Sequence, residues 1–299
     1  MVYGKHPRTA FILGFLLAGP AMAQDVHGAN VAGRGGALVG DPADNANLLS
    51  NPGALALSER YDVQGYAGFG PDGALEWGVS ALDARTSPVA LGLSWRRTIR
   101  ERELRTEDLP GWIVPGDDIE RVERAHELAV GVAYPFADRT LSLGIGGLLR
   151  TGVDDRAGPF LTGDLSLGFG WRVSDEWTLG LSARNLLPLP DQEELPLHFL
   201  VGAHFEVPTL ITLALDAGIQ TEEIEGTPLL VRGGLELHTG SVRPRLGYRY
   251  EGPRAQHQLT AGFGLETEAG AIEYALALPL GQPFEAAGLV HTVGIRARF

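Results

Sequence analysis

Arginines and carboxylates recur at alternate positions in the second half of this sequence, and they carry its clearest chemical potential. Guanidinium groups bind carboxylates and other oxyanions through paired N–H donors. Such a cluster can attract an anionic solute, or its members can form ion pairs that hold a buried segment in place, and we favour ion pairing. The densest group comprises Asp216, Arg232, Glu236, Arg243, Arg245 and Arg249.

Signatures of catalysis are weak. The sequence has no Gly-x-Ser-x-Gly, no His-Glu-x-x-His and no phosphate-binding loop. A pair such as His204 with Asp216 requires two neighbouring strands to bring it together, and a histidine bonded to a neighbour is the simpler interpretation. Because the chain has no Cys, thiolate metal sites and disulfides are excluded. We therefore predict that the protein is not an enzyme and uses no metal and no cofactor.

Composition narrows the class of protein. The formal net charge is -13 and charged residues make up 20% of the chain, which argues against non-specific binding of nucleic acid. Glycine is abundant at 41 residues, and the mean hydropathy of +0.01 is too low for a bundle of membrane helices. This combination is typical of a barrel in which a polar interior dilutes the apolar residues.

From Tyr61 onward the chain divides into runs of about ten residues in which apolar and polar residues alternate. Alternate side chains of a strand point to opposite faces, so in the run 161–171 Leu165 and Leu167 oppose Asp164 and Ser166. A tilted strand of this length crosses a bilayer. The pattern predicts 14 strands, at 61–69, 75–83, 89–99, 126–136, 141–150, 160–173, 177–186, 197–206, 209–220, 229–238, 242–251, 257–266, 271–280 and 289–299.

The last of these runs, 289–299, has an apolar face that ends at the aromatic Phe299, and an opposite face that is small or cationic. Short turns mostly alternate with longer acidic links at 100–125, 151–159, 187–196, 221–228, 252–256 and 281–288, as in outer-membrane barrels. We predict a closed antiparallel barrel of about 14 strands that turns its apolar face to outer-membrane lipid. Phe299 is expected on the periplasmic side, in a carboxy-terminal strand that the barrel-assembly machinery recognises.

The amino terminus has the pattern of a secretory signal peptide. Lys5 and Arg8 precede an apolar run, and 21–23 reads Ala-Met-Ala, a cleavage site of the small-x-small type. We predict three segments, a signal peptide at 1–23, a Gly-rich segment at 24–57 and a barrel at 58–299, in a protein exported to the outer membrane of a Gram-negative bacterium.

The Gly-rich segment does not alternate. It contains Gly-Gly-Ala at 35–37, Asp-Pro-Ala-Asp at 41–44 and Asn-Pro-Gly-Ala-Leu-Ala at 51–56. These motifs resemble the amino-terminal segment of FadL-like outer-membrane barrels, which include hydrocarbon transporters and PorV/PorQ-type secretion barrels. The resemblance implies that the segment folds into the barrel as a plug, or hatch, through Gly35, Gly36, Asp41, Asp44, Asn51 and Pro52. We expect Asp41 and Asp44 to pair with the arginine cluster.

The resemblance implies two functions that the sequence does not separate. One is passive uptake or binding of a small, hydrophobic molecule, gated by the hatch. The other is a non-conducting PorV/PorQ-like barrel that is a docking partner for an envelope or secreted protein. An apolar patch in an acidic outer loop, at Trp112, Ile113 and Val114, is the candidate contact for a ligand or a protein. A barrel-borne hydrolase is a third hypothesis and requires a Ser–His pair.

Overall fold

A computed structural model describes most of the chain beyond the amino terminus. The predicted signal peptide and the predicted contact patch at Trp112, Ile113 and Val114 lie outside the described residues. At 100–104 and 119–123 only the backbone is described. The described ranges are 28–70, 74–104, 119–154, 158–187, 196–221, 227–252, 255–281 and 288–299.

Fourteen antiparallel strands form a closed barrel, so the predicted fold class is confirmed. Each strand pairs with its neighbours in the sequence, and β1 pairs with β14 to close the wall. The strands are β1 Tyr61–Phe69, β2 Leu75–Asp83, β3 Ala90–Leu104, β4 Ile119–Phe136, β5 Leu141–Asp154, β6 Gly158–Arg172, β7 Trp177–Arg184, β8 Leu197–Val207, β9 Ile211–Thr221, β10 Leu229–Leu237, β11 Val242–Glu251, β12 Gln256–Thr267, β13 Gly270–Leu280 and β14 Val290–Arg298.

The predicted strand bounds agree with the structure to within one or two residues, except around the link predicted at 100–125 and at the outer end of β5. There the structure extends β3 to Leu104 and begins β4 at Ile119, with pairing up to Leu104↔Ile119. The prediction of a loop throughout 100–125 is therefore wrong. The sequence at 100–104 and 119–125 is mostly charged, so the apolar half of the alternation is missing although the backbone continues as strand.

The wall has an apolar outer face and a polar or small inner face. On β4 the outward Val130 is 50% exposed, whereas the inward Ala129 is 2% exposed. In a bilayer each such outward side chain faces hydrocarbon, which stabilises the barrel by about 1.5–3 kcal/mol for a large aliphatic residue. In the described part of the chain no helix has the length and apolar character needed to cross a bilayer.

Residues 28–57, called the plug below, lie inside the barrel. They form helix α1 at Ala29–Gly33, helix α2 at Asn47–Ser50 and a 3-10 helix at Pro52–Ala56. Almost every plug residue is buried. The helix α1 packs against β11 to β14, and α2 with the 3-10 helix packs against β3 to β7. The short turns and the exposed Phe299 lie at one end of the barrel, called the turn end below.

Candidate functional site

The plug backbone touches the wall where the wall has no side chain. Gly168 on β6 faces inward, and a Cβ built on it would lie 2.5 Å from the backbone nitrogen of Gly53. On the plug side, Gly35 has φ of 68° and would place a Cβ 2.6 Å from the Tyr248 carbonyl oxygen on β11. Glycine is required at such positions because any side chain would displace backbone. The abundant glycines therefore bring the plug and wall into direct backbone contact.

Asn51 joins the plug to β6 and stabilises the turn that follows it. Its side-chain nitrogen donates to the Val39 carbonyl at 2.7 Å and to the Phe169 carbonyl at 3.0 Å. Its side-chain oxygen accepts from the Gly53 backbone nitrogen at 3.1 Å, which caps the 3-10 helix that begins at Pro52. The Asn-Pro-Gly motif thus connects a helix start to the barrel wall.

Asp216 on β9, three strands away from β6, also binds the plug backbone. Its carboxylate accepts hydrogen bonds from the Leu38 nitrogen at 2.6 Å and from the Val39 nitrogen at 3.1 Å. The strand register places Arg232 of β10 beside Asp216. The sequence analysis grouped Asp216 with the arginines, but its contact with the plug backbone was not predicted.

Asp41 pairs within the plug, so the predicted pairing of this carboxylate with the wall arginines is wrong. Arg34 donates to its Oδ2 at 2.7 Å, and the Ala43 backbone nitrogen donates to its Oδ1 at 2.7 Å. His204 Nδ1 of β8 lies 3.8 Å from Oδ1. Burial opposes ionisation of Asp41, but Arg34, His204 and the hydrogen bonds together hold its pKa well below the usual range. The carboxylate is therefore charged and fixed by its own segment.

Asp44 is fully buried and lacks an ion pair as close as that of Asp41. Its oxygens accept from the Asn30 side chain at 2.6 Å and from the Ala46 nitrogen at 2.9 Å. Burial raises the pKa of Asp44 to about 6, although the more distant Arg296 and Arg34 oppose the shift. Its predicted partners, the cluster arginines of the wall, are replaced by neutral donors within the plug.

The predicted cluster of wall charges lies on β9, β10 and β11 and faces inward. Its members are divided among separate ion pairs rather than directed at one point. Arg245 donates to Glu236 at 2.5 Å and to Glu273 of β13 at 3.1 Å. Arg243 donates to Glu266 at 2.7 Å. Of the other members, Arg249 donates to Glu251, and Arg232 is 2% exposed and lies in register between Asp216 and Arg249.

A second charged network lines the lumen toward the ends of the strands opposite the turn end. Arg96 of β3 lies between Glu76 of β2, at 3.4 Å, and Glu127 of β4. Arg150 of β5 lies 3.4 Å from Glu127 and its guanidinium is 5.4 Å from the Phe160 ring centroid. The sequence analysis did not single out this network. Alternation from the exposed Leu91 and Leu93 places Arg96 on the inner face, so the pattern contained a signal for it.

A cavity of about 530 Å³ lies between the plug and the wall at the turn end. Its lining includes Arg60, Arg298, His238 and Phe299. The three guanidinium nitrogens of Arg60 are buried without a hydrogen bond among the described residues, and burial lowers the pKa of this side chain. The cavity provides polar space between the plug and the rim of the barrel.

Phe299 closes the seam of the barrel at this rim. Its nitrogen donates to the Tyr61 carbonyl at 3.0 Å, and the two rings meet edge to face with centroids 5.6 Å apart. Arg85 donates to the Phe299 carbonyl at 2.8 Å. The side chain itself is 68% exposed. Recognition of this strand by the assembly machinery stays a prediction, as does the role of the patch at Trp112. Across the described ranges no group of three His, Asp or Glu side chains is arranged to hold a metal ion.

No protein-family model and no curated protein match this sequence. Solved structures do match. The CymD monoaromatic hydrocarbon channel has a TM-score of 0.69 at 11% identity, over 91% of this chain and 97% of that chain. The Pseudomonas putida toluene transporter TodX has a TM-score of 0.68 at 13% identity, over 92% of this chain and 97% of that chain. The Ralstonia pickettii toluene transporter TbuX has a TM-score of 0.66 at 12% identity, over 92% of this chain and 99% of that chain.

At such low identities the similarity concerns the path of the backbone. It extends over 91–92% of this chain and 97–99% of each compared chain. This chain therefore has the barrel fold of these hydrocarbon channels and transporters, which is the fold that the resemblance to FadL-like barrels implied.

Proposed function

We propose that this protein is an outer-membrane channel for passive uptake of a small, hydrophobic molecule, and that the plug gates it. The observation that carries the proposal is the plug, which is held inside a closed barrel by hydrogen bonds to the wall. The barrel fold is shared with proteins described as toluene transporters and a monoaromatic hydrocarbon channel, which supports the class of solute.

The chemistry of the lumen is compatible with a small aromatic solute. Arg96 and Arg150 balance the charges of Glu76 and Glu127, so this network presents no strong net field to a neutral molecule. Tyr66 donates to Glu76 at 3.1 Å, and Phe160 faces the guanidinium of Arg150. An aromatic ring can stack on such side chains and on guanidinium planes.

Gating requires the plug to move, because its backbone is in direct contact with inward glycines. A molecule that passes from the network around Arg96 to the turn end must pass between the plug and the wall. The cavity lined by Arg60 and Phe299 provides room beyond the plug. We infer that a shift of the plug away from the wall joins this cavity to the outer lumen.

A reversible lock tests this mechanism. A Cβ built on Gly294 of β14 would lie 3.5 Å from the Cβ of Ala29 in α1, which is within the range of a disulfide. The chain has no Cys, so Ala29→Cys with Gly294→Cys introduces one defined bond. We expect toluene uptake by Gram-negative cells expressing the oxidised double variant to fall at least about ten-fold and to recover with dithiothreitol.

The matched control is Ala29→Cys alone. After treatment with oxidant, this variant should take up toluene at the same rate as the unmodified protein. Equal uptake by the oxidised and reduced double variant would refute gating by this part of the plug. If cells producing the unmodified protein take up toluene no faster than cells without it, the transport proposal fails for this solute class.

A further inference from the structure

The outer face of the barrel carries one local group of cations. Among the strand arginines whose side chains are described, only Arg97 and Arg124 occupy outward positions, alternating with inward Arg96 and Ala125. The remaining ones face the lumen. Because outward positions face hydrocarbon over most of the wall, two arginines on adjacent strands mark a place where the environment differs.

These two arginines lie close enough to act on one ligand. Arg97 of β3 pairs in register with His126 of β4, and Arg124 lies two residues before His126 on the same face of β4. Diagonal neighbours of this kind are separated by about 7–8 Å, which long side chains span. Neither arginine has an ion pair with any residue that the structure describes. The outward carboxylate of Asp83 on β2 lies at the turn end, away from both arginines.

Aromatic rings lie in the same row as Arg97 and, at Trp95, one step closer to the middle of the barrel. Trp77 and Trp95 meet edge to face with centroids 4.7 Å apart, and the ring of His126 stacks on Trp95 at 5.8 Å. Such rings favour the interface between hydrocarbon and headgroups. The register places Trp77, Arg97, His126 and Thr151 in one row across β2 to β5.

The height of this row agrees with the thickness of the apolar band. Between Tyr134, near the turn end, and His126, the outward residues of β4 are Leu128, Val130 and Val132. At about 3.3 Å per residue and a tilt near 40°, His126 lies about 20 Å and Arg124 about 25 Å above Tyr134, and the lipid-facing band of such barrels is about 25 Å tall. The long side chains of Arg97 and Arg124 can therefore reach the headgroups at the edge of this band.

We propose that Arg97 and Arg124, supported by His126, form a docking site for a phosphate group of an outer-leaflet lipid, with its acyl chains against Trp77 and Trp95. Unpaired guanidinium groups bind phosphate oxygens through their N–H donors. The site rests on the outer-membrane location within the proposed function, but not on transport. It would fix the barrel at one side to lipid of the outer leaflet.

The test is titration of the purified, detergent-solubilised barrel with diphosphoryl lipid A, with bound lipid counted by native mass spectrometry. Each cation contributes about five-fold to the affinity for an anionic lipid, so the double variant Arg97→Gln, Arg124→Gln should bind diphosphoryl lipid A about 30-fold more weakly. The variant Arg97→Lys, Arg124→Lys keeps both charges and should remain within a few-fold of the unmodified protein. His257→Gln, at the equivalent end of β12, is the matched control and should bind normally.

Folding of each variant is checked on a gel: an unheated sample that contains a folded barrel migrates differently from the same sample unfolded by heating. Equal affinity of the unmodified protein and the folded glutamine double variant for diphosphoryl lipid A would overturn the proposal. Binding of phosphatidylcholine as tightly as diphosphoryl lipid A would also overturn it, because the site would then not recognise an exposed phosphate. The two proposals can fail separately. If the unmodified protein takes up no toluene but the glutamine double variant binds lipid A more weakly, transport is refuted and this site is supported.

Discussion

The contact of Asp216 with the plug predicts how firmly the plug is held. Its carboxylate accepts from the backbone nitrogens of Leu38 and Val39, at 2.6 and 3.1 Å, and Asp216 is itself buried. A hydrogen bond to a charged group contributes about 1.5–3 kcal/mol, and a buried donor left without a partner costs a similar amount. Asp216→Ala removes the acceptor of both donors, so we expect plug docking to weaken by about 3–5 kcal/mol.

Asp216→Asn keeps one carbonyl oxygen and should lose about half of that free energy. The assay is amide hydrogen exchange read at Leu38 and Val39. A loss of about 3 kcal/mol corresponds to exchange about a hundred-fold faster if the plug opens as a unit. Strand amides of β9 should remain protected, because the barrel pairing does not depend on the plug backbone.

Asp164→Asn is the matched control. Asp164 is also an inward carboxylate, on β6, but it accepts from the backbone of Asn185 and Leu186 and not from the plug. If exchange at Leu38 and Val39 is unchanged in Asp216→Ala, or accelerates equally in Asp164→Asn, then Asp216 does not hold the plug.

Three further predictions concern stability, measured as the urea midpoint of unfolding. The pKa of Asp44 is raised from 3.8 to about 6, so its favourable contribution is complete below pH 3.8 and disappears as the pH rises through 6. Over this window the unmodified protein should lose up to about 3 kcal/mol relative to Asp44→Asn, and identical pH dependence of the two proteins would rule Asp44 out. Gly168→Ala should cost about 1–3 kcal/mol because its Cβ meets the Gly53 nitrogen, whereas Gly147→Ala, with 3.8 Å to its nearest neighbour, should be tolerated, and equal midpoints would contradict this packing. Glu127→Gln removes a carboxylate next to Arg96 and should cost about 3–5 kcal/mol, an expectation that a change below about 0.5 kcal/mol would refute.

The barrel could be predicted from the sequence because its pattern is local. Alternation has a period of two, and each strand pairs with the next, so the run 242–251 could be located without knowing any distant contact. The extension of β3 and β4 was missed for the same reason. Charged residues on both faces remove the alternation, while the backbone pairing from Arg100↔Glu123 to Leu104↔Ile119 continues.

The plug contacts could not be predicted because they depend on distances across the barrel. The sequence identified Asp41 as buried and in need of a cation, but not that Arg34 of the same segment is closer than any wall arginine. Likewise, Asp216 was expected among arginines, and its contact with the Leu38 nitrogen depends on how deep the plug lies. The residue types indicate which groups need partners, and only the three-dimensional arrangement assigns them.

The closure of β1 on β14 has a consequence for the order of assembly. The plug precedes every strand in the chain, and it touches β5, β6, β12 and β13 from within. The seam joins β1, the first strand, to β14, the last, and ends at the hydrogen bond from the Phe299 nitrogen to the Tyr61 carbonyl. A folded plug cannot be threaded into a finished ring whose wall glycines touch its backbone. The plug must therefore reach its final fold inside the barrel, either as the sheet curls around it or after the seam has closed.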